Sequence, residues 1–341
     1  MVLCQTQFIS FHEAIKLKEE NEELASKREI ILKRLRDCMP EEAKSFDVFT
    51  QGSYAMNTGI KPLDGDFDID VGLWFDMSRE DAGPVEAKEW VFKALEGHTK
   101  DVKMKTPCVT VTYAAGYHVD VTVYSATNEN CKVYLAKGKT TSKREEKYWD
   151  ESNPKDLIKE IRDHLTDKDD RRQFRRVVRY LKRWKDVNFK SATGKPSGIA
   201  LTSCVYHWLD IQKDIDLFNG KVTYRDLDAL ISLIRSMISR FQTVYEVEGG
   251  ELVSYPRINV ELPVSPWPNL FELMTNKQMV TFKEKLECLL DALEEAKAKS
   301  DPTDACEILR KQFGDDFPVP PRPMTGKRSV APAVLPSTES A

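Results

Sequence analysis

One short segment with alternating charge constrains this chain more than any other feature. The segment DFDIDVGLWF covers residues 66–75. Successive side chains of a β-strand point to opposite faces, so Asp66, Asp68 and Asp70 would share one face and the apolar residues the other. Three carboxylates this close repel one another and raise one another's pKa. The polar face is therefore expected either to be wetted by solvent, as on an edge strand, or to lie against a cation.

A second carboxylate-bearing strand is predicted further along. The sequence PCVTVTYAAGYHVDVTVYS, which begins at Pro107, contains two β-rich runs joined by Ala114-Ala115-Gly116, a pattern typical of a hairpin. Its second arm places valines on one face and Asp120 on the other. If this arm pairs with the first strand, Asp120 lies beside Asp68 and Asp70. The alternative is that Asp120 is an ordinary solvated strand residue.

A Gly-Ser pair precedes these aspartates by about fifteen residues. Gly52 and Ser53 follow a strand-like run, FDVFTQGS, where the chain would turn into a helix. A small residue followed by a hydroxyl lets backbone N–H groups approach phosphate oxygens closely. A Gly-Ser pair is also common in ordinary turns. The interpretation as a phosphate-binding turn therefore depends on the position of the pair relative to the aspartates.

The second half of the chain has helical patterns. The run RRQFRRVVRYLKRWKDVNF predicts a helix with an apolar stripe and a strongly basic face that includes Lys182. A further helix is predicted to begin after Pro196, with Ser197 as its N-cap. Lys182 could place a charge on the β- and γ-phosphates of a nucleotide, and Ser197 could donate a hydrogen bond. The alternatives are a solvated basic face and a serine that only caps its helix.

Composition restricts the class of protein. A chain of 341 residues with a formal net charge of -4 is long enough for two domains and is not expected to attract nucleic acid as a whole. Its seven cysteines form no Cys-x-x-Cys pair, which favours reduced thiols in the cytoplasm. No segment resembles a leader or a membrane span. One leading helix is predicted from Phe11 to Cys38, and a disordered tail after Phe317.

These residues together indicate phosphoryl or nucleotidyl transfer. Such reactions need carboxylates that converge on divalent cations, because the cations offset the charge of the triphosphate and of the transition state. Asp68, Asp70 and Asp120 are the candidate ligands. Asp120 would help to hold the ion that activates the attacking hydroxyl and is the candidate proton acceptor.

The ordered set of motifs resembles the CD-NTases, bacterial cyclic GMP-AMP synthase-like enzymes of the polymerase-β-like superfamily. The matching segments, in family order from about residue 45 to 320, are QGSYAMNTGIKP, DFDIDVGLWF, YHVDVTVY, YLAKGK to WDESNP, YLKRWKD, KPSGIALT, LPVSPWPNLFELM and FGDDFPVP. The resemblance implies two Mg²⁺ ions, or Mn²⁺ in their place, on Asp68, Asp70 and Asp120. It implies a nucleotide site formed by Gln51, Gly52, Ser53, Lys182 and Ser197. Asp66 has no counterpart and is interpreted as a strand-entry residue.

The resemblance also implies the fold and the domain organisation. The expected class is α/β (α+β), with a mixed sheet that carries the aspartates and a helical lobe that carries Lys182 and Ser197, the active site lying between them. The expected boundaries are residues 1–155 for the nucleotidyltransferase lobe, 156–317 for the helical lobe and 318–341 for the tail.

The implied activity is synthesis of a cyclic dinucleotide second messenger from ATP and GTP, with loss of pyrophosphate, in anti-phage defence. A downstream effector would bind the product, and an E1–E2-like enzyme would conjugate the chain through Ala341. Neither a membrane nor an extended nucleic acid is an expected partner. The alternatives are an RNA-tailing or linear oligonucleotide nucleotidyltransferase, and a catalytically inactive nucleotide-binding protein.

Overall fold

The strand that carries the aspartates lies inside a seven-stranded mixed sheet. The computed structural model describes residues 4–17, 20–65, 67–114, 116–189 and 194–322. The strands of the sheet are β1 (Phe46–Thr50), β2 (Phe67–Phe75), β3 (Asp101–Met104), β4 (Val109–Tyr113), β5 (Tyr117–Ser125), β6 (Tyr134–Ala136) and β7 (Trp149–Glu151). Their order is β1-β2-β5-β4-β3, and β6 pairs with both β5 and β7. Only the β2–β5 pair is parallel among these strands.

Ten α-helices, one short 3₁₀ helix (Arg144–Glu146) and two small hairpins make up the remaining helices and strands of the described residues. The helices are α1 (Gln5–Ile15), α2 (Glu20–Cys38), α3 (Gly52–Ala55), α4 (Pro84–Leu95), α5 (Pro154–Asp163), α6 (Lys168–Asn188), α7 (Gly198–Trp208), α8 (Asp226–Ser239), α9 (Asn276–Ala298) and α10 (Pro302–Phe313). The hairpins pair β8 (Lys213–Ile215) with β9 (Val222–Tyr224), and β10 (Gln242–Glu248) with β11 (Glu251–Arg257). Of the helices in these ranges, none has the length and apolar character needed to cross a bilayer. The α+β class with a mixed sheet is therefore confirmed.

The two strands that carry the candidate aspartates pair with each other, which meets the condition set by the sequence analysis. In the parallel β2–β5 ladder Asp70 lies directly opposite Asp120, and Asp68 lies opposite His118. The predicted hairpin is also confirmed, since β4 and β5 pair antiparallel with Thr110 opposite Asp120. Parallel pairing in register brings the two aspartates onto the same face of the sheet.

The prediction of one leading helix from Phe11 to Cys38 is wrong. The chain forms α1 and α2 instead, separated after Ile15. The carbonyl of Ile15 accepts a hydrogen bond from the Lys61 N–H at 2.8 Å, and Lys16 forms an isolated antiparallel bridge with Ile60. A carbonyl engaged across the fold no longer supports the next helical turn, so a tertiary contact overrides the good helix propensity of these residues.

The hydrophobic interior consists of two clusters. One joins the inner face of the sheet, including Ile69, Val71 and Leu73, to residues of α2 and α4. The other joins α6 to α10, and it also contains Phe8 and Phe11 of α1. The first helix thus packs with the helical cluster. The domain boundaries expected from the sequence stay a prediction.

The C-terminal segment is described as far as Arg322. Val319 packs on the helical cluster, and the carbonyl of Pro320 accepts a hydrogen bond from the Thr303 hydroxyl at 3.2 Å. The first residues after Phe317 are therefore tied to α10. The rest of the predicted tail, with Ala341, lies outside the described residues, and so does Asp66.

Candidate active site

A cavity of about 640 Å³ lies between the sheet and helix α6. Five of the residues predicted from the sequence line it: Ser53, Asp68, Asp70, Asp120 and Lys182. The aspartates come from the paired strands β2 and β5, Ser53 comes from α3, and Lys182 comes from the middle of α6. The fold thus brings three carboxylates, one hydroxyl and one ammonium to a single space.

The carboxylates of the cavity are electrostatically unfavourable in the absence of a cation. Burial, together with the smaller effect of the neighbouring charges of Asp120 and Asp68, raises the pKa of Asp70 to about 6. Asp120 is held by two groups. The Thr110 hydroxyl donates to its Oδ1 at 2.5 Å, and Lys105 Nζ lies 3.8 Å from the same oxygen.

The donor set fits a hard divalent cation. Carboxylate oxygens are the ligands that Mg²⁺ prefers, and a bound cation would relieve the repulsion that raises the pKa of Asp70. Asp68, Asp70 and Asp120 all face the cavity. Among the residues that the structure describes, no group of three or more histidine, cysteine, aspartate or glutamate side chains is arranged to coordinate a metal ion. The chemistry of the donors fits the metal, although their present spacing does not amount to a coordination sphere.

The Gly-Ser turn is built against the catalytic strand. The Gln51 N–H donates to the Asp70 carbonyl at 3.3 Å, and helix α3 then begins at Gly52 with a φ of 68°. The Asp70 carboxyl group occupies the space where a side chain at position 52 would lie. A glycine is required here for two reasons, because the backbone is left-handed and because the carboxylate approaches it so closely.

Lys182 faces the cavity from the helical side. It is buried, and its ammonium donates to the carbonyl and to the hydroxyl of Thr58, at 3.0 and 3.1 Å. Burial lowers the pKa of Lys182 to about 7, with smaller contributions from neighbouring cations, while the charges of Asp186 and Asp70 act in the opposite direction. The ammonium is thus close to losing its proton near neutral pH.

Two predicted nucleotide-binding side chains are engaged elsewhere. Ser197 caps α7, since its Oγ accepts a hydrogen bond from the Ala200 N–H at 3.1 Å, which confirms the predicted cap. Gln51 is buried, donates to the Thr122 hydroxyl at 2.8 Å and accepts from the Tyr124 hydroxyl at 2.9 Å. Neither side chain lines the cavity. Their roles in nucleotide binding stay predictions.

The basic face of α6 is not continuous, contrary to the sequence-based interpretation. Arg176 is directed away from the cavity into a buried ion pair with Asp226, at 2.6 Å between Nε and Oδ2. Arg179 and Arg183 donate instead to backbone carbonyls of residues 57–61. Arg176, Arg179 and Arg183 therefore hold the fold together, and Lys182 is the predicted cation that lines the cavity.

The cavity also contains charged residues that the sequence analysis missed. Lys185, Asp186 and Lys195 line it, and Lys195 Nζ lies 2.7 Å from Asp186 Oδ1. A signal was present for Lys185, which follows Lys182 by three residues and therefore lies one helical turn further on the same face. Lys195 lies in the matching segment KPSGIALT but was given no role, because only the fold brings the residues before α7 to the end of α6.

Comparison with protein families finds a match for one region of the chain. Residues 46–124 match the family described as "Cyclic GMP-AMP synthase DncV-like, nucleotidyltransferase domain". The matched region runs from β1 to β5 and contains the Gly-Ser turn and all three candidate aspartates.

One curated relative is the "Cyclic GMP-AMP synthase" of Escherichia albertii. It is 32% identical over 180 residues, which cover 49% of this chain and 38% of the relative. The alignment therefore spans well under half of the relative's own length.

Solved structures share the fold over most of the chain. The Vibrio cholerae DncV cyclic AMP-GMP synthase matches with a TM-score of 0.64 and 18% identity, over 90% of this chain and 93% of that one. The Bradyrhizobium diazoefficiens CD-NTase CdnG, solved in complex with GTP, matches with a TM-score of 0.67 and 17% identity, over 92% and 95%. At this level of identity the similarities show a shared fold, and the match to the nucleotidyltransferase domain family covers residues 46–124 of the chain.

Proposed function

We propose that this protein joins ribonucleoside triphosphates into a cyclic dinucleotide and releases pyrophosphate. The observation that carries the proposal is the shared cavity, in which Asp68, Asp70 and Asp120 face Ser53 and Lys182. The carboxylates suit divalent cations, and the hydroxyl of Ser53 and the ammonium of Lys182 suit phosphate oxygens. A triphosphate bound by these groups would have its α-phosphate near the aspartates.

Each residue has a defined role in this proposal. Asp68 and Asp70 would hold both Mg²⁺ ions, and Asp120 would hold the one beside the attacking hydroxyl. When bound, the ions supply activation of that 2′- or 3′-hydroxyl and neutralise the charge that develops on the leaving pyrophosphate. Asp120 would accept the hydroxyl proton, since its Oδ1 is already oriented by Thr110. Ser53 and Lys182 would bind the triphosphate.

Ring closure requires the same chemistry twice. The first transfer gives a linear dinucleotide that still carries a 5′-triphosphate, and the second joins its free hydroxyl to its own α-phosphate. One set of catalytic residues performs both steps if the intermediate turns over in the cavity. Support comes from the relatives, of which the V. cholerae DncV synthase was solved with a linear pppA(3′,5′)pG intermediate.

The proposed substrates are ATP and GTP, and the proposed product is of the cyclic GMP-AMP type. Two observations support this proposal. The E. albertii and V. cholerae relatives are named as synthases of cyclic GMP-AMP, and CdnG was solved with GTP bound. We further propose that the product acts as a second messenger in anti-phage defence by binding a downstream effector. Conjugation through Ala341 by an E1–E2-like enzyme is part of the same proposal.

Identification of the product tests the proposed function. Purified protein would be incubated with all four labelled nucleoside triphosphates and Mg²⁺ and treated with phosphatase, and the products would be identified by mass spectrometry before and after digestion with nuclease P1. A phosphatase-resistant cyclic dinucleotide is expected. A linear oligonucleotide, extension of added RNA, or no product at all would each contradict the proposal.

A further inference from the structure

Thr58 connects the two sides of the proposed phosphate site. It is fully buried, and its N–H donates to the Ser53 carbonyl at 2.9 Å. Its own carbonyl and hydroxyl oxygens both accept from Lys182 Nζ, at 3.0 and 3.1 Å. One residue therefore touches the backbone of Ser53 and the ammonium of Lys182, although these residues lie 129 positions apart in the chain.

The hydrogen bonds of Lys182 determine how its ammonium can meet a ligand. A lysine ammonium has three N–H donors and rotates about its last bond. Two fixed acceptors on Thr58 stop that rotation and take two donors. Lys182 also lines the cavity, so the third donor is the one left for a phosphate oxygen there. Fixing this donor before the ligand arrives lowers the entropic cost of binding.

The backbone on both sides of Thr58 is fixed by neighbouring arginines. Arg179 donates to the carbonyls of Asn57 and Gly59, at 2.6 and 3.0 Å. Arg183 donates to the Lys61 carbonyl at 2.9 Å. Because these bonds use backbone carbonyls, they do not depend on the side chain at position 58. Removing the Thr58 hydroxyl is therefore expected to leave the ammonium on the Thr58 carbonyl alone, where it can rotate, without moving the segment.

We propose that Thr58 is a positioning residue that aims the Lys182 ammonium at the triphosphate and sets its distance from Ser53. The inference rests on the proposed function, because it assumes that a nucleoside triphosphate occupies the cavity. It predicts a specific defect in triphosphate binding when the hydroxyl is lost.

Three variants separate positioning from stability. Thr58→Val removes the hydroxyl at nearly constant shape, and Thr58→Ser keeps it. Thr303→Val is the matched control, because Thr303 is also buried and its hydroxyl also donates to a carbonyl, that of Pro320, while Thr303 does not line the cavity. Calorimetry would measure the affinity of each for Mg²⁺-bound GTP whose α,β-bridging oxygen is a methylene, and steady-state assays would give KM and kcat with natural triphosphates.

Thr58→Val should weaken analogue binding and raise KM by about tenfold, the equivalent of one lost hydrogen bond, with little change in kcat. Thr58→Ser and Thr303→Val should bind like the wild type. Equal affinity of Thr58→Val and Thr303→Val, or no rescue by Thr58→Ser, would overturn the inference, and so would a wild type that binds no analogue. A wild type that binds the analogue but makes no product would contradict the proposed function alone, while the affinities still decide the role of Thr58.

Discussion

Gly52 and Asp70 are packed so closely that a Cβ atom on Gly52 would lie 2.6 Å from the Asp70 Cγ and would overlap its Oδ2. The turn that is proposed to bind phosphate and the carboxylate that is proposed to bind metal therefore share one contact. A side chain at position 52 would displace the carboxylate and strain the turn together.

Gly52→Ala tests this contact. It should lower turnover by about 10²-fold or more, the loss expected when an oriented catalytic group is displaced. Gly220→Ala is the matched control, because Gly220 has the same φ of 68° but no atom within 4 Å of its Cβ position. Both variants carry the cost of a left-handed alanine. Steady-state turnover close to wild type in Gly52→Ala would show that the contact is not needed for catalysis.

A second prediction concerns the destabilising effect of ionised Asp70 on the metal-free protein. Its pKa is raised in the fold to about 6 from 3.8, so the folded state binds the proton more tightly than the unfolded state does. The contribution of Asp70 to stability is therefore full below pH 4 and is lost as the pH rises through 6. Asp70→Asn should raise the free energy of unfolding by about 1–3 kcal/mol at pH 7.5, and by little at pH 4.

Denaturant unfolding at the two pH values, with EDTA present, measures this effect. Asp47→Asn on the exposed edge strand β1 serves as the control and should change neither value. Added Mg²⁺ should stabilise the wild type at pH 7.5 and the Asp70→Asn variant much less. A variant destabilised equally at both pH values would indicate that Asp70 has a structural role.

The rate should depend on pH through Asp70 and Lys182 together. Asp70 must lose its proton to bind metal, which gives an acidic limb near pH 6. Lys182 must keep its proton to bind phosphate, and its pKa of about 7 gives a basic limb. At low Mg²⁺ concentration the profile of kcat/KM should be bell-shaped with a narrow maximum between these values.

Lys182→Met identifies the basic limb, because methionine keeps most of the buried stem without the charge. The variant should lose this limb and bind triphosphates less tightly, while its preference among bases stays the same. A basic limb that persists in the variant, or a switch of the base incorporated at unchanged affinity, would contradict the placement of Lys182 against the triphosphate.

The buried ion pair of α6 should matter for stability rather than for catalysis. Asp226 is fully buried and accepts from Arg176, Gln173 and Tyr180. Asp226→Ala should lower the free energy of unfolding by about 3–5 kcal/mol, because it leaves a buried arginine without its partner. Glu294→Ala breaks the exposed pair with Arg235 and should cost at most about 1 kcal/mol. If urea unfolding gave similar losses of unfolding free energy for Asp226→Ala and Glu294→Ala, the buried pair would be no more important for stability than the exposed one.

Truncation tests the hypothesis that the C-terminal segment is dispensable for basal catalysis. Deletion of residues 325–341 should leave turnover unchanged. Deletion from residue 318 should lower the unfolding temperature, because it also removes Val319 and the contact of Pro320 with Thr303. A large fall in turnover after the shorter deletion would mean that the segment helps to form the site. In cells with the partner enzymes, Ala341→Glu should abolish the conjugate seen by gel electrophoresis.

The elements that depend on local pattern were predictable, and those that depend on distant contacts were not. The alternation around Asp70 predicted the strand and its two faces. Its pairing with the strand of Asp120 was only a condition of the hypothesis, and the fold supplies it. The division between α1 and α2 was not predictable, since it depends on bonds from Ile15 and Lys16 to residues 60 and 61. The β10–β11 hairpin did have a signal, because Gly249-Gly250 separates two alternating runs.

The site shows the same limit. The sequence predicted that Lys182 and Arg176 lie on the basic face of one helix. It did not separate the lysine that reaches the cavity from the arginine bound to Asp226, because that partner lies 50 residues away. Gln51 was likewise assigned to the nucleotide by position, whereas its amide bonds Thr122 and Tyr124 within the sheet.

Pyrophosphate release from ATP and GTP by the wild type and by the Asp68→Asn/Asp70→Asn double variant tests the central claim most directly. The wild type should release pyrophosphate only with Mg²⁺ or Mn²⁺ present. The double variant should release none, although it unfolds cooperatively and at no lower temperature than the metal-free wild type. Release by the double variant at the wild-type rate, or by the wild type in EDTA, would contradict the assignment of these aspartates as the catalytic metal ligands.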